Sequence, residues 1–127
     1  MKIQIPSELS DLGFEQNWDL EKISALDLPI TWVKIGDLIW HFDLPLLSEN
    51  GPYNLKPRDL MDHPGEHQVE YYKTMQSESI HPVDVVDHNG RLVIIKGLYR
   101  LIKASINNET KVAVRIVPAQ LLPTLKK

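Results

Sequence analysis

Apolar residues recur along this chain with two different periods, and each change of period marks an element. Ile30-Thr31-Trp32-Val33-Lys34-Ile35 alternates and is rich in β-branched and aromatic side chains, which predicts a strand. Gly36 to Trp40 reads as a single helical turn. His41 to Asn54 holds Pro45, Asn50, Gly51 and Pro52 and reads as loop. Pro57 is suited to the first position of a helix over 57–62, which Pro64-Gly65 interrupts. A second helix is expected over 66–76, with Val69, Tyr72 and Met75 as its apolar face. Pro82 to Val86 and Arg91 to Lys96 read as two strands. Asp87-His88-Asn89-Gly90 joins them, because Asn-Gly accepts the positive φ values of a tight hairpin turn. Leu98, Leu101, Ile102 and Ile106 return to helical spacing, and Lys111 to Val117 alternates as a last strand that Pro118 ends. Before all this, residues 1–28 carry Leu9, Leu12, Phe14, Trp18, Leu20, Ile23 and Leu26 among acidic residues. They read as a helical extension, with Ser7 and Asp19 as capping residues.

The order strand, loop, two helices, hairpin, helix, strand describes an α+β fold, a compact mixed sheet with helices. We divide the chain into the N-terminal helical extension (1–28), a main domain (29–118) and a C-terminal tail (119–127) that is short helix or coil. At 127 residues the chain is long enough to bury a real core. Its net charge of −3 supplies no global field for nucleic acid. The absence of cysteine excludes disulfides, thiolate metal sites and thiol nucleophiles. No stretch reaches transmembrane length and the first residues lack a signal-peptide core, so a cytoplasmic protein without a membrane partner is expected.

Chemistry concentrates at one junction. Val93-Ile94-Ile95-Lys96 is a buried strand that breaks at Gly97 and passes directly into the helix Leu98-Tyr99-Arg100-Leu101-Ile102-Lys103-Ala104. Such a turn aims backbone N–H groups and the positive helix end outward, a setting for an anion. Lys96, Arg100 and Lys103 add cations, which are unfavourable for the helix itself and call for a ligand or a carboxylate such as Asp84 or Glu70. Tyr99 is placed to stack on a base or to keep a wet hydroxyl on a half-buried ring. Other candidates are thinner. His63 and His67 have the spacing of two ligands on one helical face, but Pro64-Gly65 lies between them, and no metal site is assigned. Asp37, Asp43, Asp59 and Asp62 are carboxylates available to Mg²⁺ beside a nucleotide, and Asp37 and Asp59 serve equally as helix-start residues. Trp40-His41-Phe42 is either core or the lip of a pocket.

Lys56-Pro57-Arg58 before a helix, the segment Ser79-Ile80-His81-Pro82-Val83-Asp84-Val85-Val86, the strand–Gly-x-x-Arg–helix run from Arg91 to Ala104 and the closing strand Val112 to Val117 together resemble the ParB/sulfiredoxin superfamily. The likeness spans residues 29–118. It implies a ParB-like, sulfiredoxin-like fold in which the Gly-x-x-Arg turn receives nucleotide phosphates. Members include a CTP-binding partition protein, ATP-using sulfiredoxin and a free-serine kinase. Carried over by position, Gly97 allows close backbone approach and Arg100 pairs with phosphate. The same resemblance brings Arg58 and His81 toward the turn. The ligand-binding set is then Lys96, Gly97, Leu98, Tyr99, Arg100, Arg58 and His81. Lys96 stands where the superfamily often has an acidic residue, and Tyr99 where it often has His or Arg. Sulfiredoxin chemistry needs a cysteine that this chain lacks. The implied ligand is a nucleotide, with Mg²⁺, or another phosphorylated small molecule. An enzyme built this way would transfer phosphoryl groups or hydrolyse nucleotides, and no general base stands out. Two other readings stay open: a non-catalytic module that binds a protein partner or forms a homo-oligomer, and a DNA-associated partition or nuclease accessory, against which the acidic balance argues.

Overall fold

A computed structural model describes residues 18–44, 46–47, 55–76 and 81–125. The expected helices and loops that fall at 1–17, 45, 48–54, 77–80 and 126–127, the Ser7 cap among them, lie outside the described residues. The fold is α+β: a four-stranded mixed sheet with helices on both faces. Strands β1 (Thr31–Lys34), β2 (Val83–His88), β3 (Arg91–Lys96) and β4 (Lys111–Ile116) lie in the order β1-β4-β2-β3. β1 and β4 are antiparallel, β4 and β2 parallel, β2 and β3 antiparallel. The helices are α1 (Leu20–Ser24), α2 (Pro57–Asp62), α3 (Gln68–Met75) and α4 (Leu98–Ile106).

Local chemistry accounts for most of these boundaries. Asp19 caps α1 by accepting from the Lys22 N–H at 3.2 Å, and Pro57 opens α2 where its missing N–H costs nothing. Asn89 and Gly90 have φ of 55° and 84°, the two positive values of the expected hairpin turn, although β2 runs on through Asp87 and His88. α4 carries β3 over into β4, which is how β2 and β4 come to be parallel neighbours.

One core lies on the face covered by α2, α3 and α4. Val83, Val85, Ile94, Val112 and Val114 from the strands meet Leu60, Leu101, Ile102 and Ala104 there. The opposite face buries Val86, Val93 and Ile95 under Trp18, Ile23 and the C-terminal 3₁₀ segment Ala119–Leu125, whose Leu122 and Leu125 point inward.

Two expectations need correction. Val69 and Tyr72 do not form the buried face of α3: they are 69% and 66% exposed. The helix turns Glu70 and Thr74 inward instead, with Tyr71 between them packed against the core and the Tyr99 hydroxyl of α4 facing Glu70. Glu70 accepts from Tyr99 Oη at 2.9 Å and Lys73 Nζ at 3.3 Å, and Thr74 Oγ1 donates to the Glu70 carbonyl. The stretch from His41 is also not loop from its first residue. Two 3₁₀ turns, Ile35–Asp37 and Ile39–Asp43, place Leu38, His41 and Phe42 in the interior. Trp40-His41-Phe42 is therefore core and edge cover. β3 is an outer strand, and its outward backbone groups are met by these side chains: Trp40 Nε1 donates to Leu92 O at 3.3 Å, and Ile94 N–H donates to His41 Nε2 at 3.1 Å.

Candidate functional site

The junction between β3 and α4 adopts the geometry its residues require. Gly97 has φ 105° and ψ 22°, a left-handed conformation that L side chains rarely adopt. A Cβ at this position would also lie 3.2 Å from Val83 Cα, so the turn is packed against the start of β2. The first bond of α4 runs from Leu101 N–H to Gly97 O at 3.1 Å. The N–H groups of Leu98, Tyr99 and Arg100 precede it and have no partner within the helix. A cavity of about 290 Å³ opens at this point, lined by His81, Pro82, Lys96, Gly97, Leu98, Tyr99 and Arg100.

Six of the seven expected site residues are thus brought together: Lys96, Gly97, Leu98, Tyr99, Arg100 and His81. Arg58 is not among them. It lies at the start of α2, where its Nε donates to Asp43 Oδ1 at 2.6 Å and its Nη2 to Oδ2 at 3.3 Å. That pair holds the Asp43 carboxyl below the usual carboxylate range and raises the Arg58 guanidinium, each mainly through the shared hydrogen bond. Lys103 does not line the cavity either.

The three polar side chains at the turn differ in availability. Arg100 is nine-tenths buried, with Nη1 3.8 Å from Glu109 Oε2. Among the described residues the carboxylate beside it is that of Glu109, not Asp84 or Glu70, the two partners expected for it. Tyr99 is half-buried, and burial, followed by its hydrogen bond to Glu70, pushes its phenol up to about 12. Its hydroxyl is committed to Glu70 rather than to solvent. Lys96 is the accessible cation. Its Nζ donates to Ser24 Oγ, and it forms no ion pair among the described residues.

Behind Lys96 lies a second cavity, of about 280 Å³, which shares His81, Pro82 and Lys96 with the first and adds Ser24, Leu28, Ile30, Asp84 and Arg115. Here three charged residues form one row across adjacent strands: Arg115 on β4 stands beside Asp84 on β2, and Asp84 beside Lys96 on β3. Arg115 Nε donates to Asp84 Oδ1 at 2.7 Å, its Nη1 to Leu26 O at 2.7 Å and its Nη2 to Ile23 O at 2.9 Å. This guanidinium fastens the end of α1 and the segment after it to the sheet. Sequence reasoning missed Asp84, Arg115 and Ser24 as site residues. The signal was present for Asp84, since a carboxylate inside the apolar run Val83 to Val86 must be buried and must find a partner.

Other candidates fall away from both cavities. Asp37, Asp59 and Asp62 are exposed and line neither, and His63 Nδ1 faces Glu66 Oε2 at 3.9 Å. Among the described residues no group of three or more His, Cys, Asp or Glu is placed to hold a metal ion, and no helix is long and apolar enough to cross a membrane. No family model, curated protein or solved structure matches the chain.

Proposed function

We propose that this protein binds a nucleotide or another phosphorylated small molecule at the strand–Gly-x-x-Arg–helix turn, as a divergent ParB/sulfiredoxin-like domain. One observation carries the reading. Lys96, a cation without an ion pair among the described residues, lines a cavity together with the N-terminal residues of α4. An ammonium beside the positive end of a helix complements a multiply charged oxyanion. Gly97 keeps that approach clear of side-chain atoms, and Arg100 contributes positive potential from within the fold. Chemistry on the bound group would be phosphoryl transfer or nucleotide hydrolysis, in the cytoplasm.

Thermal unfolding with inorganic phosphate, ATP, CTP and GTP, each with and without Mg²⁺, tests the reading. A ligand at about 100 times its Kd stabilises the folded state by about 2.7 kcal/mol, a rise of several degrees in Tm for a domain of this size. Wild type is expected to shift with at least one of them, and Lys96→Ala to lose most of the shift while melting normally without ligand. No shift with any of the four overturns the proposal.

A second reading, a non-catalytic module that self-associates or recruits a protein, is favoured by Trp32, which is 62% exposed on the outer strand β1 beside Ile30 at 57%. Sedimentation velocity over a concentration series, wild type against Trp32→Lys, separates the two readings.

A further inference from the structure

The groove behind Lys96 holds a buried carboxylate that the fold uses only in part. Asp84 is 2% exposed, and its Oδ1 is taken by Arg115, but Oδ2 has no hydrogen-bond partner among the described residues while the side chain lines the cavity. That oxygen is not sealed from solvent: it opens onto the groove as an acceptor that a donor entering there can reach. On one side of it stands Arg115, with three of its N–H groups already committed. On the other stands Lys96, whose ammonium is held among the described residues by the exposed hydroxyl of Ser24. The floor therefore offers one strong acceptor and one strong donor side by side, between the apolar walls of Leu28 and Ile30.

We infer that this groove is a subsite for the hydroxyl-bearing part of the ligand, one hydroxyl donating to Asp84 Oδ2 and a neighbouring oxygen accepting from Lys96 Nζ. The inference rests on the phosphate reading of the Gly97 turn, and the two cavities meet at His81, Pro82 and Lys96, so one molecule can occupy both. Together they reach the ~300–1,000 Å³ range of small-molecule sites. Charge selects the class. Two cations flank a single carboxylate, so a second ammonium is repelled, whereas a neutral diol satisfies donor and acceptor without adding charge. The ligand class is a phosphate ester of a polyol, met equally in a free sugar phosphate and in the ribose of a nucleotide.

Calorimetric titration of the full chain with ribose 5-phosphate, AMP and pentyl phosphate tests this. Pentyl phosphate reaches the groove without hydroxyls. At least one of the two diol-bearing probes is expected to bind about tenfold or more tightly than pentyl phosphate, since a hydrogen bond to a charged group is worth at least that factor. The probe that shows the preference identifies a free sugar phosphate or a nucleotide as the source. In Asp84→Asn, which keeps an acceptor for Arg115, the preference should fall to about twofold or less. Ser24→Phe, at an exposed position that can fill the groove without touching the core, should abolish it in the same way. Equal binding of all three probes by wild type overturns the subsite and leaves the turn reading standing, as does a preference that survives both substitutions. Failure of every probe to bind overturns both.

Discussion

His41 supplies the most quantitative test of how this fold is held together. Its ring is fully buried in the 3₁₀ turn that covers β3, with Nδ1 2.7 Å from Leu38 O and Nε2 3.1 Å from Ile94 N. A carbonyl only accepts and an amide N–H only donates, so Nδ1 carries the proton and Nε2 is bare. A second proton would set Nε2–H against the Ile94 N–H and charge a ring with no access to water. Burial, reinforced by the nearby Arg91 guanidinium, accordingly lowers this histidine from 6.5 to about 4, against a raising contribution from the bond to Leu38.

The sign follows from which state protonates first. The unfolded chain takes up this proton near pH 6.5 and the folded chain only near pH 4, so the contribution is whole above 6.5 and is lost as pH falls through that window. The loss is about 1.4 kcal/mol per pH unit, about 3 kcal/mol in all, against a total stability of roughly 5–15 kcal/mol for a domain. Urea unfolding at pH 7 and at pH 4 should be run on wild type and on His41→Leu. At neutral pH the variant leaves Leu38 O and Ile94 N–H buried without partners, at about 1–3 kcal/mol each. It also lacks the titration, so the wild-type advantage should shrink by about 3 kcal/mol between the two pH values while every other group cancels in the difference. A constant difference across the range would refute the argument, because it would mean that His41 does not enter the fold as a neutral donor and acceptor.

Further outcomes follow from the turn and the charged row. Gly97→Ala should lower stability by about 1–3 kcal/mol in urea unfolding, since the residue must hold a positive φ and meets Val83 Cα. Asp84→Leu should cost about 3–5 kcal/mol by the same measurement, because Arg115 stays buried without its carboxylate. Tyr99 is raised from 10.0 to about 12 by burial and then by Glu70, so the unfolded chain ionises first and stability should decline as pH rises through that interval. Following phenolate absorbance in wild type and Tyr99→Phe isolates that step.

Much of this architecture was readable from periodicity and turn chemistry. The Asn89-Gly90 hairpin, Pro57 at the head of α2 and the apolar stripe of α4 are local instructions, each settled within a few residues. The α3 stripe was misread because Val69, Tyr72 and Met75 satisfy a helical period, while the layer they would face is decided by α4, distant in sequence. An inward Glu70 makes sense only once the Tyr99 hydroxyl is known to be there. The turn at Gly97 was visible for the opposite reason: strand, glycine and helix are contiguous. Asp84, Arg115 and Ser24 come from three segments, and only the parallel pairing of β2 with β4 and the fold-back of α1 join them.

The placement of Lys96 follows from an irregularity in the sheet. β2 and β3 pair Val85 with Ile94 and then Asp84 with Lys96, so Ile95 has no opposite residue and the ladder bulges. Strict alternation would send Lys96 to the same face as Ile94, into the apolar core beneath α4. The extra residue shifts the phase by one. Ile95 packs with Val86 and Val93 on the far face, and Lys96 follows it there, into line with Asp84 and Arg115 and within reach of Ser24. The left-handed Gly97 then turns the chain from β3 into α4 within one residue. Bulge and glycine therefore work as a pair. The first puts an ammonium on the groove side of the sheet, and the second starts the helix beside it, so that Lys96 lines both cavities.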